Sequence, residues 1–133
     1  MIAMKKTTLI GVPALALAAL LAGCATTPAP DMPTRTVDGV LIGPNGKTLY
    51  TFARDAQNSG KSMCNAQCAT NWPPLMAPAD PKPMGGYTIV MRDDGSKQWA
   101  YNGWPLYYWS KDAKPGDRTG EGMLNGAWKV ARP

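Results

Sequence analysis

The sequence predicts a small, mainly β domain made of two pseudo-repeated antiparallel hairpin units with at most one short helix. Short runs of β-branched and aromatic residues alternate with Gly, Pro, Asn and Asp clusters, and no long 3.6-residue apolar period interrupts them. In addition, the stretch Gly46–Asp55, "GKTLYTFARD", returns at Gly103–Asp112 as "GWPLYYWSKD".

The chain opens with a segment that the domain does not need. Lys5 and Lys6 precede an apolar or small-residue run from Thr7 to Ala22, ending in "LAGC" at Cys24. A basic end, an apolar stretch too short to span a bilayer and small residues before a cut site read as a signal peptide over residues 1–23. "LAGC" resembles the bacterial lipobox. That resemblance implies lipidation of the Cys24 thiol and cleavage before it, and several acyl chains anchor a protein stably where one does not. Ala25 stands where Asp commonly retains the anchor at the inner membrane, so outer-membrane sorting is expected in a cell that has one.

Residues 24–35 are rich in Pro, Thr and Ala and read as an extended tether, reaching ~30 Å at polyproline spacing. A single domain is expected over 36–133, with repeats at about 36–77 and 86–133. Val37–Ile42 and Lys47–Phe52 should form a hairpin around Gly43–Gly46. Ser62 is placed to cap a short helical turn through Cys68, stopped by Pro73 and Pro74. Tyr87–Arg92, Lys97–Tyr101 and Trp104–Trp109, separated by Asp94-Gly95 and Asn102-Gly103, predict a three-stranded meander. A two-residue loop at Asn102-Gly103 sets Tyr101 opposite Trp104 and Ala100 opposite Pro105, which tolerates the proline only at an edge.

Aligning Pro44–Ala56 with Tyr101–Ala113 gives six identities without a gap, at Asn45/Asn102, Gly46/Gly103, Leu49/Leu106, Tyr50/Tyr107, Asp55/Asp112 and Ala56/Ala113. Phe52 and Trp109 match conservatively, and a tryptophan, Trp72 or Trp128, follows each unit. Strand alternation puts Tyr and the next aromatic on one face and Leu49 or Leu106 on the other, so both faces should be covered. Asp55 and Asp112, at the strand exits, are placed to accept N–H bonds from the following turn. The expected result is two halves packed through their aromatics, each closed by its own tryptophan. Tyr50-x-Phe52-x-x-Asp55 and Tyr107-x-Trp109-x-x-Asp112 resemble the motif of bacterial secreted-repeat lipoproteins marked by Y-x-[FWY]-x-x-D. The likeness extends through "KSMCNAQCATNWPPL", "QWAYNGWPLYYW" and "PGDRTGEG". It implies a lipoprotein, a tandem repeat and a β-rich fold, and brings no established activity. Lys129 stands where such proteins often carry a histidine.

The composition narrows the chemistry. Without the leader, 12 basic side chains face nine acidic ones, an excess of about +3 with no basic run, so nucleic acid is not an expected partner. The chain has no histidine, hence no His-based triad or zinc site, and no enzyme activity, metal or cofactor is expected. Cys64 and Cys68, four apart in an exported chain, are expected to form a disulfide that fastens a loop. Two alternatives stand beside a structural or interaction role at the envelope. In one, reduced Cys64 and Cys68 with Met63, and other methionines, serve thiol redox or Cu(I) chemistry. In the other, Trp99, Tyr101, Trp104, Tyr107, Tyr108 and Trp109 leave some rings outside as a platform for glycan or an envelope protein.

Overall fold

The computed structural model describes Ala3, residues 10–13 and residues 31–133. Cys24, most of the leader and most of the tether lie outside these residues. No helix among the described residues is long and apolar enough to cross a membrane. The elements are β1 (Arg35–Val37), β2 (Val40–Ile42), β3 (Tyr50–Phe52), α1 (Gln67–Asn71), β4 (Tyr87–Met91), β5 (Lys97–Tyr101), β6 (Trp104–Pro105), α2 (Met123–Gly126) and β7 (Trp128–Val130). The mainly β class holds.

The meander forms in the predicted order β4-β5-β6, but its third strand is Trp104–Pro105 and not Trp104–Trp109, because Tyr107 leaves it to bridge Tyr50. Tyr101 faces Trp104 and Ala100 faces Pro105. Asn102 and Gly103 take φ of 49° and 82°, the paired positive angles of a tight hairpin loop. Pro105 sits on the edge strand, where no further partner needs its missing N–H.

The first hairpin is broken up. Gly43 and Lys47 do close the expected turn, and Ile42 bridges Thr48. However, Val37–Ile42 does not continue as one strand from its start, because Asp38 and Gly39 take positive φ and fold β1 back onto β2. Asp-Gly is the same signal that marks the meander, and it acts here too. The helix also differs from expectation: α1 begins after Ala66, and Ser62 does not cap it. A second helical turn, α2, exceeds the single helix expected. Leu124 and Asn125 inside it have left-handed φ of 52° and 54°, so it is no regular α-helix and carries no apolar period to read.

The two repeats are locked together at their centre. The Tyr50 N–H donates to the Tyr107 carbonyl at 2.8 Å and the Tyr107 N–H to the Tyr50 carbonyl at 3.0 Å. On the far side of Tyr50 lies Val130 of β7, and on the far side of Tyr107 lies Pro74. The segment trailing each repeat therefore covers the strand of the other. Backbone bonds repeat the exchange: Leu41, Leu49 and Ala131 form one cycle, and Trp99, Leu106 and Leu75 form its counterpart. The expectation that each half closes on its own tryptophan is met only in part: Tyr50 and Tyr107 touch Trp72 and Trp128 edge-on, but Phe52 stacks on Trp128 and Trp109 on Trp72. A three-residue strand offers too few bonds to stand alone, and borrowing the other repeat's tail supplies the missing side.

Two apolar clusters result, one on each face of these central strands. Tyr50, Phe52, Trp72, Tyr107, Trp109 and Trp128 share one, while Leu41, Leu49, Leu75, Trp99, Leu106 and Ala131 share the other. The alternation read from the sequence is thus realised. In the first cluster the rings form a continuous stack. Phe52 lies on Trp128 at 4.2 Å between centroids, Trp128 on Trp72 at 3.8 Å, and Trp72 on Trp109 at 4.1 Å.

Trp128→Ala should cost about 3–5 kcal/mol, since it opens a cavity in the middle of this stack. Removing residues 128–133 should unfold both repeats together, because β3 loses its partner strand; near-ultraviolet circular dichroism and amide dispersion in NMR spectra report whether repeat one survives alone.

Candidate functional site

The repeat motif places its polar residues at the centre of the domain. Each strand ends in a tight turn, with the Asp55 N–H bonded to the Phe52 carbonyl and the Asp112 N–H to the Trp109 carbonyl. This directs both carboxylates inward. The Tyr50 hydroxyl then donates to Asp112 Oδ2 at 2.5 Å, and the Tyr107 hydroxyl donates to Asp55 Oδ2 at 2.7 Å. The pairs are crossed, each tyrosine binding the aspartate of the other repeat. Each remaining carboxylate oxygen also has a partner. Asp55 Oδ1 accepts the Met63 N–H at 2.7 Å, and Asp112 Oδ1 accepts the Thr119 N–H at 3.0 Å and its hydroxyl at 2.6 Å. The aspartates do bind backbone N–H groups as expected, but farther along the chain than the next turn.

All four side chains are sealed from solvent, with Tyr50 and Tyr107 at 0%, Asp55 at 3% and Asp112 at 2% exposure. Burial raises the Asp55 pKa, against the pull of the Met63 N–H, the Tyr107 hydroxyl and the Arg92 charge. Burial also lifts both tyrosines well above the ordinary phenol range, and the bond to Asp112 lifts Tyr50 further. Both therefore remain protonated donors. Tyr108, beside them in sequence, is pushed up to about 12 by burial alone.

The two halves differ in what surrounds the crossed pairs. In the first, the Ser62 and Tyr107 hydroxyls share a 2.7 Å bond. Arg92, itself buried, donates to Ser62 Oγ, Gln98 Oε1, the Cys64 carbonyl and Asn65 Oδ1. Cys64 is joined to Cys68, with Cα atoms 5.2 Å apart. In the second half the Gly120 N–H donates to the Tyr50 hydroxyl. A side chain at Gly120 would meet Trp72 at 2.7 Å and Tyr50 at 3.0 Å, so only glycine fits there.

The structure thus gathers Tyr50, Phe52, Asp55, Tyr107, Trp109 and Asp112 into one buried assembly, with the Cys64–Cys68 disulfide packed in the same core cluster. In this state the two sulfurs are not thiolate donors. Met63 projects outward at 66% exposure. Trp99 and Trp109 are buried, while Tyr101, Trp104 and Tyr108 are half-buried, so the meander's rings mostly serve the two cores. Sequence reasoning missed Ser62, Arg92, Gln98 and Thr119. A hydroxyl residue seven places after each Asp was a legible signal for Ser62 and Thr119; Arg92 read only as the end of the predicted strand Tyr87–Arg92.

A family model, Lipoprotein_15, described as a secreted repeat of unknown function, matches residues 34–76 and again residues 88–132. The chain belongs to this family. No curated protein and no solved structure matches it significantly. The two matches coincide with the halves related by the crossed pairs. The first begins at Thr34, which is buried and hydrogen-bonded to the Tyr87 hydroxyl, so the packed part of this secreted repeat starts just ahead of the expected Thr36.

Tyr107→Phe and Tyr50→Phe should each destabilise by about 1.5–3 kcal/mol, since each leaves a buried carboxylate short of a donor. A double-mutant cycle of Tyr107→Phe with Asp55→Asn, read by urea denaturation, should show strong coupling, and Tyr107→Phe with Asp112→Asn much less. The raised Asp55 pKa means the fold holds this proton better than the unfolded chain does. That stability is fully present below the unfolded pKa and is lost as pH rises through the folded one. The urea midpoint of the parent should therefore fall relative to that of Asp55→Asn as pH rises past the ordinary carboxylate range.

Proposed function

We propose that this secreted repeat is a non-enzymatic module of the bacterial cell envelope, held to the membrane by lipid at Cys24 and sorted to the outer membrane where one exists. Its role is structural or interactive, toward an envelope protein or glycan rather than nucleic acid. The observation that carries this reading is the closure of the repeat motif. Tyr50, Asp55, Tyr107 and Asp112 satisfy one another and are buried, so the motif acts as architecture and presents no reactive group to a substrate. Membership of a secreted family supports export. The lipobox and the Pro-rich segment before Thr34 support an anchor with a short spacer.

The half-buried rings of Trp104 and Tyr108 weaken the aromatic platform as the contact surface. Tyr108 in particular packs its hydroxyl against Gly43, leaving no room for a side chain there.

Mass spectrometry of the protein extracted from membranes should find an N-terminal Cys24 carrying acyl chains. Cys24→Ala should leave the leader uncleaved or move the protein to the soluble fraction. An unmodified Cys24 in a freely soluble protein would overturn the anchor.

A further inference from the structure

Methionine ordinarily fills cores, yet here its placement is reversed. Among the described residues Met32, Met63, Met76, Met91 and Met123 are all exposed, at 50%, 66%, 51%, 48% and 39%. Only Met84 is partly covered. Three of them, Met32, Met76 and Met84, come from segments distant in sequence and line one groove of about 410 Å³, with Trp99 and the carboxylates of Asp31 and Asp80 also on its wall.

Two of the three, Met76 and Met84, are held by backbone from one sheet, and Met32 is tied to it through a neighbouring side chain. Met76 bridges Gln98 of β5, and the next residue's N–H donates to the Lys97 carbonyl at 2.9 Å. Met84 exchanges both backbone bonds with Tyr87 of β4. Met32 precedes buried Pro33 and Thr34, and the Thr34 hydroxyl is bonded to that of Tyr87. Its methyl carbon lies over Gly85, within 3.9 Å of where a Cβ would stand. Backbone pairing therefore fixes the attachment points of Met76 and Met84 before any ligand arrives, and the Thr34–Tyr87 bond holds the segment that carries Met32 beside them.

Thioethers are soft, uncharged donors whose ligation does not depend on deprotonation, and they suit Cu(I). Among the described residues thioethers are also the soft donors that remain. Cys64 and Cys68 are bonded to each other, and the chain has no histidine. An oxidising compartment converts paired thiols to disulfides and leaves thioethers able to bind. Trp99 lines the groove as an aromatic neighbour for a cation, and Asp31 and Asp80 add negative potential that Lys82 on the same wall offsets in part.

We propose that Met32, Met76 and Met84 form a binding site for a soft monovalent metal ion, Cu(I), beside Trp99. The ion binds without changing oxidation state. The site is separate from the disulfide and from the crossed Tyr–Asp pairs, and it does not depend on the lipid anchor.

The test uses the purified protein carrying 13C-methyl methionine, titrated with silver(I) as a redox-inert probe and then with Cu(I) in competition with bicinchoninate. One equivalent should move the methyl signals of Met32, Met76 and Met84, leave those of Met63, Met91 and Met123 in place, and quench tryptophan fluorescence. Met76→Leu and, separately, Met32→Leu should weaken Cu(I) retention by at least about tenfold at an unchanged thermal midpoint, while Met91→Leu keeps the parent affinity. Even shifts over all methionines, no shift at stoichiometric silver(I), equal binding of Zn(II), or parent affinity in both groove variants would overturn the proposal.

Discussion

Two backbone hydrogen bonds between Tyr50 and Tyr107 set the geometry on which the domain depends. They place equivalent residues of the two repeats back to back, so every group on one side has a counterpart on the other. With the strands in that relation, the phenols reach across to Asp112 and Asp55, and the two tryptophans meet face to face at 3.8 Å. None of these contacts is available inside a single repeat. The strands are short, and a short strand is stable only when both edges and both faces are occupied. Crossing the repeats achieves that with few residues.

Once the frame is shared, the two halves are free to differ around it. The first half fills the space beside Tyr107 with Ser62, a buried guanidinium and a disulfide-bonded loop. A buried charge is costly unless its donors are matched, and Arg92 meets this with side-chain and carbonyl acceptors from two segments, residues 62–65 and Gln98 of β5. The second half brings backbone itself against the ring, which requires Gly120. The same Tyr–Asp bond is therefore enclosed once by chemistry and once by close approach. This explains why the sequences after the two motif copies diverge.

Much of the frame was legible because it rests on local signals. The Asn102-Gly103 loop and the alternation around Leu49 and Leu106 specify register and faces by rules that need only neighbouring residues. The exchange of tails was not legible, since Trp72 and Trp128 each follow their own motif copy at nearly the same interval and spacing does not say which copy they cover. The helix start was misplaced for a related reason. Ser62 has the chemistry of a cap, but its hydroxyl is engaged by Tyr107 and Arg92, contacts separated from it by 45 and 30 positions. At the candidate site the pattern identified the right tyrosines and aspartates but not their pairing, which only the tertiary crossing decides. The methionine groove was invisible as a unit, because its members carry no common period.

The crossing also governs when this chain can acquire its structure. A secreted polypeptide threaded out amino end first delivers Tyr50 and Phe52 long before Trp128, Val130 and Ala131, which cover them. Until that last segment emerges, the leading half has no surface to bury its strand against, and closing so long a loop is entropically slow. The leading half therefore cannot complete its burial by itself, and the two repeats acquire their structure together once residues 128–131 are present.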